Sequence, residues 1–177
     1  MNKKIITLGG SSSQKSINKE FANYAAELME NITIESLDLN EYQIPLFSVD
    51  LEAEKGIPAD VLKISEQFKA TDAFVLSLAE HNGSYAAAFK NVMDWISRVD
   101  GSIWKKKPML LLSTSPGARG GATVMATALG SFPHLGATVV ESFSLPSFFD
   151  NFKNDDIVDN ALKAELLMKV KSFEKAL

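Results

Sequence analysis

Ile5-Ile6-Thr7-Leu8-Gly9-Gly10-Ser11-Ser12-Ser13-Gln14-Lys15-Ser16-Ile17-Asn18 sets the architecture of the chain. A short apolar run stops at two glycines, a hydroxyl-rich turn follows, and a helical pattern begins at once. Ile17, Phe21, Tyr24, Ala25 and Leu28 recur at steps of three and four, the stripe of a helix laid over a sheet. The same alternation continues outward. Thr33 to Leu39 alternates in the two-residue rhythm of a less buried strand, and Ala73 to Leu78 is continuously apolar, as a strand covered on both faces is. Met109 to Ser113 is the most apolar run, and Thr138 to Ser142 gives a fifth strand. Pro58 suits the first position of a helix whose face is Val61, Leu62, Ser65 and Phe68. Ser84 suits the N-cap of a helix through Val99 with Phe89, Val92, Met93 and Ile96 on its stripe. Gly120-Gly121 opens a helix to about Gly130, and the last helix shows Leu162, Leu166, Val170 and Phe173. Five strands alternating with five helices predict an α/β fold with a parallel sheet. Right-handed crossovers make it a doubly wound three-layer α/β/α sandwich. No repeat or linker divides residues 1–177, which read as one domain.

The bulk properties agree. A chain of 177 residues falls in the range of about 100–200 per domain and is large enough to need no covalent staple. With 46% hydrophobic and 23% charged residues it has the make-up of a globule, which excludes disordered, collagen-like and coiled-coil readings. The absence of cysteine excludes a disulfide framework, thiolate metal sites and a cysteine nucleophile, and it fits a reducing compartment. Eighteen basic against 22 acidic residues, net −4, give no driving force towards nucleic acid or anionic membrane. Lys105-Lys106-Lys107 reads as a solvated loop before a buried strand. No apolar run approaches the length of about 18 residues that spans a membrane, and the run before Gly9 is too short for a signal-peptide core. A cytoplasmic protein is expected.

In an open parallel sheet, ligands bind beyond the carboxyl ends of the strands, where the strand order reverses. Three loops there are unusual in composition. After the first strand, Ser11, Ser12, Ser13 and Ser16 offer hydroxyl donors at the positive end of a helix, a constellation suited to phosphate. Simple helix capping by Ser16 needs fewer of them. After the third strand comes Glu80-His81-Asn82-Gly83-Ser84, which alone reads as a loop with an Asn-Gly turn. After the fourth, Ser115-Pro116-Gly117-Ala118-Arg119-Gly120-Gly121 allows positive φ and close approach to a planar ligand. Neither the dinucleotide fingerprint nor the Walker pattern is present.

Together these segments resemble the NADPH-dependent FMN reductase family, flavodoxin-like proteins that include quinone, chromate and azo-dye reductases. Gly10, Ser11, Ser16 and Asn18 match its G-S-x-R-x-x-S-x-N loop. Glu80 to Ser84 with Lys90-Asn91-Val92-Met93-Asp94-Trp95 resembles its P-E-Y-N-x-S and L-K-N-x-x-D-W segments. Ser115 to Gly121 resembles its S-x-G-x-x-G-G loop, and Leu37-Asp38-Leu39 with Ile44-Pro45-Leu46-Phe47 its connection after strand two. The resemblance implies a flavodoxin-like five-stranded sheet of order 2-1-3-4-5. It implies FMN with its phosphate on Ser11, Ser13, Ser16, Ile17 and Asn18, and its ring between Glu80, His81, Asn82, Gly83 and Ser115, Gly117, Gly120, Gly121. It also implies NADPH or NADH as hydride donor, a small-molecule electron acceptor, and a homodimer or homotetramer. No catalytic side chain is required, because the cofactor carries the chemistry. A flavodoxin-type electron carrier is the alternative reading.

Three positions depart from the pattern. Ser13 stands for the usual arginine, leaving either a looser hold on FMN or partial compensation by Lys15. Ala79 replaces a proline, and His81 a tyrosine beside the expected ring. Arg119 reads equally as a contact for the nucleotide phosphate and as a surface arginine. Trp95 and Trp104 read as core or subunit interface, His134 as structural, and Asp155-Asp156 as charging the start of the last helix. The phenylalanines at 143, 148, 149 and 152 read as core or, if exposed, as a subunit contact.

Overall fold

The computed structural model describes residues 2–177. Strands β1 (Lys3–Gly10), β2 (Ile32–Leu37), β3 (Ala73–Leu78), β4 (Lys107–Thr114) and β5 (Ala137–Leu145) form one sheet in the order β2-β1-β3-β4-β5. Every pairing in it is parallel. Helices α1 (Ile17–Glu27), α2 (Val49–Lys55), α3 (Ala59–Ala70), α4 (Ala87–Val99), α5 (Ala122–Ser131), α6 (Phe148–Asn151) and α7 (Asn160–Glu174) lie between and after these strands, with two 3-10 turns and two ribbons of two-residue strands. The order reverses between β1 and β3, so the crevice expected of a doubly wound sheet opens there.

The two-residue period of the strands divides the core into two layers. Ile6, Leu8, Phe74, Leu76, Met109 and Leu111 point to the side covered by α3, α4 and α5. Ile5, Ala73, Val75, Leu110 and Leu112 point to the side covered by α1 and α7. Trp104 is fully buried, with the rings of Phe132, Phe74 and Phe68 at 5.0, 5.2 and 5.4 Å, and Trp95 is buried as well. Phe143, Phe148 and Phe152 are core, whereas Phe149 is exposed. His134 lies exposed in a 3-10 turn. Among the described residues no helix is long and apolar enough to cross a membrane.

Several local expectations are corrected. Ser84 does not cap α4; it pairs with His81 in a two-residue ribbon, and α4 starts three residues later. Pro58 precedes the first residue of α3 rather than occupying it. Leu62 turns outward, and Ile64 takes its place on the buried stripe of Val61, Ser65 and Phe68. The second strand ends at Leu37, with a 3-10 turn at Leu39–Glu41. Asp159, not Asp155-Asp156, caps α7 by accepting from the amides of Ala161 and Leu162. Asp156 instead pairs with Lys163 and accepts from the hydroxyl of Tyr24 at 2.6 Å.

Candidate functional site

The loops after β1, β3 and β4 meet in a cleft of about 230 Å³ at the carboxyl edge of the sheet. Its first wall exists because Gly9 has no side chain. A Cβ there would lie 2.5 Å from the amide nitrogen of Lys19 and 2.7 Å from its Cα, so α1 can start directly on the end of β1. Ser16 caps that helix, its Oγ accepting from the Lys19 amide at 3.2 Å. The Ser11 Oγ likewise accepts from the Ser13 amide at 3.1 Å. Each hydroxyl uses its oxygen locally and keeps its O–H to donate. The amides of Ile17 and Asn18 head a helix that offers them no carbonyl one turn back. These donors, with the helix dipole behind them, make a cradle for an anion.

Charge around the cradle is arranged unevenly. Lys15 lines the cleft, while Lys19 is drawn aside to Asp38 at 2.6 Å. Burial pushes the Asp38 carboxyl up, but the bonds from Lys19 and Asn40 outweigh it and hold it below the usual carboxylate range. Asn18 serves as a rivet. Its buried side chain accepts from the Ser77 hydroxyl at 2.7 Å and the Thr114 amide at 3.1 Å, and donates to the Thr114 carbonyl at 3.2 Å.

The second and third walls are shaped by turns. Asn82 and Gly83, at φ 52° and 76°, make the two-residue turn that Asn-Gly favours, joining Glu80–His81 to Ser84–Tyr85. The Glu80 carboxylate is turned to the start of α5, where Oε2 accepts from the amides of Thr123 and Val124 at 2.9 and 3.0 Å. Arg119, largely exposed, reaches the other oxygen of Glu80 at 3.4 Å.

The sequence pattern of the NADPH-dependent FMN reductase family matches residues 3–150. The chain belongs to that family. The quinone reductase of Escherichia coli (strain K12) is 33% identical to it over 122 residues, 67% of this chain and 63% of that protein. An NAD(P)H-dependent FMN reductase of Pseudomonas aeruginosa is 33% identical over 120 residues, with 67% and 63% covered. The chain thus spans less than two thirds of the length of these curated relatives. Among solved structures, the flavoenzyme NAD(P)H:(acceptor) oxidoreductase of Paracoccus denitrificans has a TM-score of 0.75 at 26% identity, with 98% of both chains covered. An NADH:FMN oxidoreductase in its apo form shares the fold at a TM-score of 0.77 and 17% identity, covering 99% of this chain and 90% of that one.

Of the residues expected at the cofactor site of this FMN reductase family member, Ser11, Ser13, Ser16, Ile17, Asn18, Glu80, His81 and Ser115 line the cleft together. Asn82, Gly83, Gly117, Gly120 and Gly121 do not line it. The last two have the positive φ expected of them, 57° and 80°, and they also pack tightly against the sheet. A Cβ on Gly120 would stand 2.7 Å from the Leu145 carbonyl oxygen, and one on Gly121 3.1 Å from the Ser113 Cβ. Lys15, Ala79, Thr114 and Pro116 also line the cleft and were left out of the expected site. Lys15 carries a sequence signal of its own, a cation two residues from the Ser13 that replaces the usual arginine, whereas Ala79, Thr114 and Pro116 are marked by adjacency to or place within the three loops.

Proposed function

We propose that the chain is an NAD(P)H-dependent oxidoreductase that holds FMN in this cleft and passes electrons from a nicotinamide to a quinone, a flavin or a similar small acceptor. The donor set of the first wall carries the reading. The hydroxyls of Ser11 and Ser16 and the amides heading α1 supply hydrogen bonds to one anionic group, and Lys15 supplies the cation. Such a set suits the phosphate of FMN and has no use for a neutral ligand. When bound, FMN would supply the redox chemistry of hydride acceptance and electron transfer. The chain's own residues bind and orient: Asn18 fixes the phosphate loop to β3 and β4, and Ala79 to His81 with Thr114 to Pro116 form the facing walls. Family membership supports the same donor and cofactor. In this reading residues 1–177 act as one FMN-binding domain in the cytoplasm, as a homodimer or homotetramer. Leu46 and Val49, 81% and 68% exposed, are the apolar side chains first in line for a subunit contact.

Fluorescence titration with FMN and with riboflavin, which lacks the phosphate, tests the assignment. FMN binds at least about tenfold more tightly, the worth of one charge-assisted hydrogen bond. The gap narrows with salt. Equal affinity removes the phosphate cradle, and no binding of either removes the cofactor.

A further inference from the structure

Helix α5 has no capping side chain of its own. Its N-cap is Gly121, in the left-handed region at φ 80°, and Gly120 before it is left-handed as well at φ 57°. The Leu145 carbonyl oxygen and the Ser113 Cβ crowd the places where their side chains would be. Packing of this loop on β4 and β5 therefore excludes the serine, threonine or aspartate that ordinarily caps a helix. The cap arrives from another part of the chain. Glu80 accepts from the amides of Thr123 and Val124, residues 43 and 44 positions further on, and its side chain is only 11% exposed.

Glu80 also pairs with Tyr85 at the base of the hairpin that places His81 in the cleft. One carboxylate thus joins the wall after β3 to the wall after β4. We propose that Glu80 is a positioning residue, a latch that sets the width of the cleft by capping α5 from across it. The latch deepens the cofactor assignment and rests on it. A carboxylate engaged by two amides and a guanidinium is committed to this joint, and its service to a ligand is to hold the walls at a fixed separation.

Three variants isolate the latch. Glu80→Ala removes it. Glu80→Gln keeps a side-chain oxygen that accepts from both amides and serves as the conservative rescue. Thr123→Pro deletes one donor at the second position of α5, inside the first turn, where a proline is tolerated. Two readouts are taken on the full chain. In the protein without added flavin, amide hydrogen exchange of Thr123 and Val124 accelerates about tenfold or more in Glu80→Ala, a scale set by hydrogen bonds to charged groups. The hairpin amides from His81 to Tyr85 accelerate with them. FMN and riboflavin affinities both fall about tenfold in Glu80→Ala and largely return in Glu80→Gln, and the double variant Glu80→Ala/Thr123→Pro loses no more than the worse single one.

Unchanged exchange at Thr123 and Val124 overturns the latch. So does acceleration confined to α5 with the hairpin unmoved, which reduces Glu80 to a plain helix cap. Flavin affinities that stay level in Glu80→Ala while exchange rises overturn its bearing on the cleft. If the unaltered protein binds no flavin, the cofactor assignment has failed, and the exchange data still decide whether the walls are joined.

Discussion

The loops after β1 and β4 face one cleft and are built by opposite means. In the first, each hydrogen bond closes within two or three residues: the Ser13 amide to the Ser11 hydroxyl, the Lys19 amide to the Ser16 hydroxyl. In the second, shape comes from behind. Gly120 and Gly121 are left-handed and pressed onto β4 and β5, and the helix that follows takes its cap from Glu80. The first loop offers donors to a ligand; the second offers a surface whose position is fixed by the sheet. Local chemistry tolerates replacement one side chain at a time, while long-range packing does not.

Asn18 is the one side chain that belongs to both constructions, so it carries the largest expected effect. Asn18→Ala leaves the Ser77 hydroxyl and the amide and carbonyl of Thr114 buried without this partner, and denaturant unfolding shows a loss of roughly 3–5 kcal/mol. A loss below about 1 kcal/mol would mean that the two loops are not joined there. Next comes a pair of glycines in the same segment. Gly120→Ala meets backbone at 2.7–3.0 Å at a positive φ and costs about 2–3 kcal/mol. Gly117→Ala, whose Cβ would find only the Ser115 hydroxyl at 3.8 Å, stays within about 0.5 kcal/mol. Similar losses for both would break the claim that Gly120 is singled out by its left-handed backbone pressed onto the sheet.

In the first loop, Ser16→Ala removes the cap of α1 and costs about 1 kcal/mol of stability by thermal unfolding, with FMN binding weakened alongside. Stability lost without any change in FMN affinity would limit Ser16 to capping. The smallest effect concerns the support of that loop. The Asp38 carboxyl lies below its usual range in the folded state, so Lys19–Asp38 stabilises above the unfolded carboxylate value near 3.9. That contribution is lost as the pH falls through the lower folded value. Solvent screening keeps it under about 1 kcal/mol. Asp38→Asn therefore flattens the acid limb of the stability-against-pH curve slightly and leaves the neutral plateau almost as high. An unaltered acid limb would remove the pair as a support.

What the sequence disclosed follows the same division. β3 was readable to the residue, because Ala73 to Leu78 is buried throughout and Ser77 is its single polar side chain. Ser16 was readable as a cap because its partner is three residues away. Ser84 carried an identical signal and misled, since the Asn-Gly turn before it spends Ser84 in a ribbon. Helix α2 went unseen because it buries no residue; its marks are a Ser48 cap, acidic residues in its first turn and Gly56 at its end. The Glu80 cap was beyond reach, because its two donors lie more than forty residues away and only the fold brings them to it.

The most direct measurement is the visible absorption spectrum of the FMN-loaded, desalted protein, kept anaerobic, before and after one equivalent of NADPH. Retained flavin that bleaches at once, and regains its colour when a quinone is added, is the expected result. Flavin that stays bound and oxidised would contradict the reductase and leave an electron carrier in its place.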